Sequence, residues 1–443
     1  MFPRTPALRW PRRPVASAET LAAFRIAVGI ALLLSTELHA GSSFADLPAA
    51  MRIAPEGLGW FVAVAPISKA IALVVRAVAV AAAAATILGL YTQAATLALC
   101  FSSFYLLAIG QLGGTVVHNM HLVWFAAILA ASPAGDALSV DRFRECVPSP
   151  DARYGVPVWT ARILFACVYF FPGLHKVMTQ GLQWASAENL SLQLYWKWFE
   201  WNEVPAFRLD QHPTLLQLGG FATLAFELGF PFLLVSRPTR LAAAVLGVAF
   251  HMATDWLLHV AFSSLWICYP VLVDWPRRQR HQPDTRGTAS PWPRAAAAVG
   301  ALLVLPTLAQ GLRGKTDAFP FACYPTFAYR ASDTIPDLTI VSVGADGART
   351  EIAHGRDARG LRSQAHWGLV WALVGATAPL DESRLHAYAS GLGPGSMWPP
   401  GGTVELWRSE FAVSPDARGR PAVRATKLTS LNATRLRPGP TTP

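Results

Sequence analysis

The sequence predicts an all-α polytopic membrane helix bundle of about eight to nine transmembrane helices, followed by a small extracytoplasmic C-terminal domain of α+β or β-rich type. Three observations predict it. Hydrophobic residues make up 53% of the 443 and charged residues only 14%, where a soluble globular chain carries about 25% charged residues. Apolar runs long enough to cross a bilayer recur along the first 312 positions. The net charge of +10 comes largely from arginines in the tails and the loops between those runs, which is how topology is set. No nucleic-acid-binding motif accompanies this charge, so no nucleic-acid partner is expected. The five cysteines, Cys100, Cys146, Cys167, Cys268 and Cys323, form no CxxC pair and signal neither a disulfide scaffold nor a zinc site.

Residues 1–17 read as a basic cytoplasmic tail with Arg4, Arg9, Arg12 and Arg13, and Ser17 is placed to cap the first span, 18–40. Arg25 near its start is expected to snorkel inward. The second span, 68–90, is alanine-rich, which favours close helix packing. Arg76 inside it either snorkels or faces a polar cavity. Spans follow at 91–111, 116–131 and 158–176, the second of these opening on His118-Asn119-Met120-His121. A tryptophan-rich segment with Trp184, Trp196, Trp198 and Trp201 comes next. It is expected at the membrane interface, part of it as a surface helix over a cavity. Further spans are read at 214–235, 241–260 and 261–275, then a cytoplasmic linker, 277–294, and a last helix, 295–312.

With the N-terminus inside, the arginine clusters fall in the inner loops 132–157, 236–240 and 276–294. Lys176, the tryptophan-rich segment and residues 313–443 then fall outside. In that last region 338–343 and 404–413 alternate as strands do, and 364–377 has a helical pattern.

Several helices each bring ionisable groups into this apolar bundle. His118 and His121 share a helix face beside Asn119. Two histidines are an incomplete ligand set, so a buried polar cluster is favoured over a metal site. Lys176 ends the stretch Tyr169-Phe170-Phe171-Pro172-Gly173-Leu174-His175-Lys176. Desolvation disfavours an ammonium ion, so a lysine shut away from water can serve as a neutral base, with His175 as a second candidate. On spacing alone an interfacial lysine is the commoner case. Pro172 and Gly173 suggest a loosened helix end. Glu227 lies mid-span, where a carboxylate is costly, with Arg76 as a candidate partner. His251, Asp255 and His259 repeat at one-turn spacing, as either a proton path or satisfied bundle residues.

Taken in order, several motifs resemble the vitamin K-dependent γ-carboxylase superfamily and its bacterial relatives with the horizontally transferred transmembrane (HTTM) domain. They are Phe24-Arg25-Ile26, His118-Asn119-Met120-His121-Leu122, Ser132-Pro133-Ala134-Gly135-Asp136, the stretch ending in Lys176, Glu227-Leu228-Gly229-Phe230-Pro231, and Phe250-His251. They cover about residues 18–276. The resemblance implies Lys176 as catalytic base and His121 as its helper, with His118, Asn119, Tyr169, His175, Glu227 and His251 as a supporting polar cluster. It also implies reduced vitamin K or menaquinol as cofactor, with oxygen and carbon dioxide as co-substrates and no metal. The amine deprotonates the quinol, oxygen turns it into a strong base, and that base removes a γ-proton from a glutamyl residue, whose carbanion captures carbon dioxide. A water-poor intramembrane site suits that chemistry. Two features depart from the family pattern: His175 stands where the animal enzymes carry a second lysine, and Pro172 replaces a small residue. Residues 313–443 form a much smaller outer part than the animal enzymes have.

The expectation is therefore a multi-pass inner (plasma) membrane protein with quinol-dependent carboxylase-like chemistry, acting on a protein or peptide substrate at the outer side. The alternatives are a non-catalytic export, immunity or sensing factor built on the same bundle, and a proton or solute carrier. The absence of a clear inverted repeat counts against the carrier.

Overall fold

The computed structural model describes residues 14–114, 119–143, 149–275, 291–315, 318–322, 327–353, 382–392 and 401–433. His118, Cys146, Cys323, the helical pattern at 364–377 and most of the basic tail and linker lie outside the described residues.

The chain begins with α1 (Ala18–Leu34), capped by Ser17 as its sequence suggests, and α2 (Thr36–Phe44). The two are bent by 41° at Ser35, so the first predicted span is a broken one. A short α3 (Gly59–Val64) leads to α4 (Lys69–Leu88), α5 (Thr92–Gly110) and α6 (Met120–Ala130). The long α7 (Ala152–Gln180) is followed by α8 (Ala187–Trp201), α9 (Pro213–Leu233) and α10 (Arg237–Leu258). The apolar stretch after α10 is a four-residue α11 (Ser263–Trp266) and a 3₁₀ turn at Tyr269–Leu272 rather than a continuous span. The last bundle helix is α12 (Trp292–Leu312). Among the described residues, six helices can cross a membrane by length and composition, namely α4, α5, α7, α9, α10 and α12, and the bent α1–α2 pair makes up to seven. Two shorter apolar segments, Met120–Ala130 and Ser263–Leu272, accompany them.

Buried arginines lock the end of the bundle away from Lys176, and here the structure corrects the expectation for Arg25. It does not snorkel. It is fully buried and donates to the carbonyls of Ala134 (2.7 Å), Ala137 (3.3 Å) and Leu138 (2.5 Å). The Phe24-Arg25-Ile26 and Ser132–Asp136 motifs thus meet in space. The same loop supplies Asp141, which accepts from the backbone N–H groups of Tyr91 (2.8 Å) and Thr92 (2.7 Å) at the start of α5. Burial pushes the Asp141 carboxyl up, but these bonds and the nearby Arg25 outweigh it and hold it below the usual carboxylate range. On α7, Arg162 donates to Asp274 (2.7 Å) and to the Val271 carbonyl (2.9 Å), while Arg240 of α10 also pairs with Asp274. Nothing in the sequence reading singled out Arg162 or Asp274. Arg76 bonds the His39 carbonyl (3.2 Å) and Ser42 Oγ (3.3 Å) on α2, so it is a local α4–α2 tie.

The C-terminal region forms an antiparallel sheet of β1 (Thr334–Val343), β2 (Arg349–Ala353), β3 (Thr403–Ala412) and β4 (Arg424–Asn432), in the order β2-β1-β3-β4. The two strands expected from alternation are its central pair, with Leu338 opposite Arg408. Ile335, Leu338, Leu406 and Phe411 pack with Leu385 and Ala389 of α13 (Glu382–Leu392), and Met51, Trp196 and Phe199 extend that core. The sheet therefore sits at the α8 end of the bundle. The tryptophans do more than mark an interface. The indole N–H groups of Trp184 and Trp196 donate to the carbonyls of Phe327 (2.7 Å) and Ser332 (2.6 Å), lacing the strand-leading segment across α7 and α8.

Glu405, on the central strand β3, ties the two edge strands together by accepting from Lys427 (2.7 Å) on β4 and pairing with Arg349 on β2. The Lys427 bond holds its carboxyl below the usual carboxylate range. A depressed carboxylate contributes stability that is present above the unfolded value of about 4.3 and lost as pH falls through the lower folded value. Amide exchange of β3 and β4 in the full-length protein should accelerate in that acid window, and Glu405→Gln should remove the pH step. An unchanged step in the variant would mean that another group causes it.

Candidate active site

Lys176 and Glu227 make a buried ion pair between α7 and α9, with Nζ 2.5 Å from Oε1 and side chains 4% and 7% exposed. Three features of the sequence put them there. Lys176 lies on α7 one turn before its end, because Pro172 and Gly173 are accommodated inside the helix rather than loosening it. Gly173 lets α9 come close: a Cβ there would stand 2.8 Å from Glu227 Cβ and 3.3 Å from Oε2. Glu227 is the fifteenth of the 21 residues of α9, so Lys176 meets it along the body of that helix and not at its end. The expected snorkelling lysine is thus replaced by a paired one, and Glu227's partner is Lys176 rather than Arg76. Trp184 lies beside the amine, 4.8 Å from Nζ to the ring centroid, in cation–π contact.

Lys176, Glu227, His121, Tyr169 and His251 all line one cavity of about 230 Å³ among α7, α8, α9 and α10. That is room for several waters or part of an organic ligand, since one water occupies about 30 Å³ of liquid. The walls are otherwise mainly apolar, with Phe250, Phe262 and Leu265 among them. α8 contributes Leu190 and Leu194, so part of the tryptophan-rich segment does cover a cavity. His121 lies in the first turn of α6 with its ring against Phe125, 5.5 Å between centroids.

A second polar feature joins the cavity wall to the bundle core. Tyr169 OH is 2.6 Å from His251 Nε2 and also hydrogen-bonded to Tyr269 OH. Tyr269 reaches this point because Gly247 leaves no Cβ in its path. No sequence signal pointed to Tyr269, since its value comes from where the 3₁₀ turn places it. Two buried polar atoms of cavity residues have no hydrogen-bond partner, Glu227 Oε2 and His251 Nδ1.

Other members of the expected cluster are elsewhere. His175 points away, its Nε2 3.0 Å from the Gly311 carbonyl of α12. Asn119 Oδ1 accepts from Ser264 Oγ, fixing α11 to the start of α6. Asp255 is exposed, and His259 ends α10 in the left-handed region beside Glu203 at 3.9 Å, so these two do not continue a buried path from His251. Among the described residues no group of three or more His, Cys, Asp or Glu side chains is placed to hold a metal ion.

Apolar helices of membrane-crossing length and a buried ion pair facing an apolar cavity define a multi-pass membrane protein with a polar site inside its helix bundle. The HTTM domain model matches residues 13–273, more than half of the chain, and the chain belongs to this family. No curated protein and no solved structure matches it.

Proposed function

We propose that this protein is a membrane enzyme that removes a proton from a lipid-soluble substrate within the bilayer, with Lys176 as the base. The observation that carries the reading is the Lys176–Glu227 pair in the wall of an apolar cavity shared with His121, Tyr169 and His251. The charged pair and the neutral amine–carboxylic acid pair have the same net charge. Passing the proton from the ammonium to the carboxylate across the 2.5 Å contact collapses the ion pair into a neutral amine and a carboxylic acid, so the free base forms without leaving an isolated charge in a low-dielectric site. Glu227 positions the amine and stores its proton, the Trp184 ring steadies the ammonium, and His121 is the second acid–base group of the cavity.

A reduced naphthoquinone of the vitamin K or menaquinol type fits these residues. Phe250 and Phe262 offer ring faces, Glu227 Oε2 can accept a hydroxyl, and His251 Nδ1 is open to a second one. Such a quinol, with oxygen, supplies the strong base needed to carboxylate a carbon acid with carbon dioxide. The arginine distribution supports the N-terminus inside and residues 313–443 outside a plasma (inner) membrane, with a protein or peptide substrate arriving on the outer side. The six long apolar helices and the bent α1–α2 pair support up to seven crossings, and the segments Met120–Ala130 and Ser263–Leu272 fall short of the about 20 residues that a helical span needs.

In full-length protein in liposomes, supplied with menaquinol, oxygen and labelled bicarbonate, quinol-dependent oxygen uptake and label incorporation should fall about 10²–10⁴-fold in Lys176→Met, the usual size of a general-base contribution. Equal incorporation in the variant would overturn the reading. The second reading, a non-catalytic export, immunity or sensing factor, draws on the same pair as a tie between α7 and α9. It expects the double variant Lys176→Met/Glu227→Leu, which removes both charges together, to leave the cellular phenotype intact.

A further inference from the structure

The cavity does not end inside the protein. On α9, Gly219 and Thr223 line it, and on α10, Ala253 and Leu257 line it. Gly219 and Ala253 are at the same time exposed on the outer surface of the bundle. Small residues on both sides of one cleft, each reaching the cavity and the exterior, make a sideways mouth. The surface around it is hydrocarbon-facing in character: Leu218 is 61% and Met252 66% exposed, with no charged side chain among the mouth residues. Toward the end where α10 stops, Trp256 stacks on Phe207 at 5.8 Å, as aromatic side chains do at a headgroup boundary. The mouth therefore lies on the acyl-chain side of that boundary.

We propose that this α9–α10 cleft is a lateral portal, and that it holds the hydrocarbon tail of an amphiphilic substrate whose polar head sits at Lys176 and Glu227. The proposal rests on the reading of the cavity as a substrate site. Glu227 and Gly219 are eight residues apart on α9, so head and mouth are separated by about 12 Å along the helix at 1.5 Å per residue. A tail of that length runs beside the cavity-lining Gly220, Thr223 and Leu257 before it reaches lipid, and a tail-free ring does not extend that far. The substrate class is thus an amphiphile with a polar, proton-bearing head and a hydrocarbon chain, the quinol of the proposed function being one case, entering from the membrane rather than from water.

The portal can be narrowed without disturbing the fold. A Cβ added at Gly219 meets nothing within 4 Å, and Ala253 is exposed. The test uses a prenylated naphthoquinol carrying a diazirine in its tail, and the tail-free 2-methylnaphthoquinol, on full-length protein in liposomes. Photolabelling should map to α9 and α10 around Gly219 and Ala253. In Gly219→Leu/Ala253→Leu the tailed probe should bind about tenfold more weakly, with the tail-free ring bound as before. Labelling spread over the outer faces of α4 and α12, or equal weakening for both ligands, would overturn the portal. Labelling is read without turnover. Portal labelling in a protein that shows no quinol-dependent oxygen uptake would refute the proposed chemistry and leave the portal standing, and turnover with unaltered binding in the variant would do the reverse.

Discussion

Glu227→Leu should destabilise the bundle by about 3–5 kcal/mol, the cost of leaving one partner of a buried pair uncompensated. Lys176 is 3% exposed and has Glu227 as its carboxylate, so the variant leaves the buried ammonium without its counter-charge. The double variant Lys176→Met/Glu227→Leu should recover most of that loss, to within about 1 kcal/mol of the native protein, because two apolar side chains of similar length remove both desolvation penalties together. Thermal unfolding in one detergent, read as a double-mutant cycle, checks this. A double variant as unstable as the single one would show that the two groups are not coupled. The same double variant separates fold from chemistry, since it should be folded and without turnover.

Arg25→Leu should be nearly as damaging, at about 3–5 kcal/mol, for a different reason. It removes three charge-assisted hydrogen bonds and strands the carbonyls of Ala134, Ala137 and Leu138. Arg25→Lys should restore less than half of the loss, because an ammonium on a single stem cannot span three carbonyls as the guanidinium fork does. Limited proteolysis of the 132–143 loop gives a local readout beside unfolding temperature. A loop as protected in Arg25→Leu as in the native protein would mean that the Asp141 cap on α5 holds it alone.

Much of the helical layout was legible in the sequence, because apolar length and helix caps are local properties. Ser17 caps α1 and Gly89 ends α4 in the left-handed region, as their residue types allow. The central strands β1 and β3 were legible for the same reason, through alternation. Their partners β2 and β4 were not: β2 is short, and β4 is mostly exposed and carries little apolar patterning. Within the site, the sequence marked Lys176, Glu227, His121, Tyr169 and His251 as costly polar residues in apolar surroundings, and all five line the cavity. It also marked His175, as a second candidate beside Lys176. One residue further along a helix is a turn of about 100°, and that rotation sends His175 to α12 instead of the cavity.

Pairing is what composition and spacing leave open. Glu227 was matched to Arg76 on charge alone, whereas the partner is decided by Gly173, whose missing Cβ lets α7 and α9 approach closely enough for Lys176 to reach Oε1. Arg162, Asp274 and Tyr269 carried no signal, because a buried ion pair between residues 112 apart and a hydrogen bond between residues 100 apart exist only once the helices have packed. The sequence by itself determined the family, the membrane character and the set of polar residues that the bundle must bury, since each follows from local composition and the order of short motifs. Only the tertiary structure decided which of those residues face one another, because a buried charge is stable only beside a specific partner, and glycines such as Gly173 and Gly247 set how near those partners come.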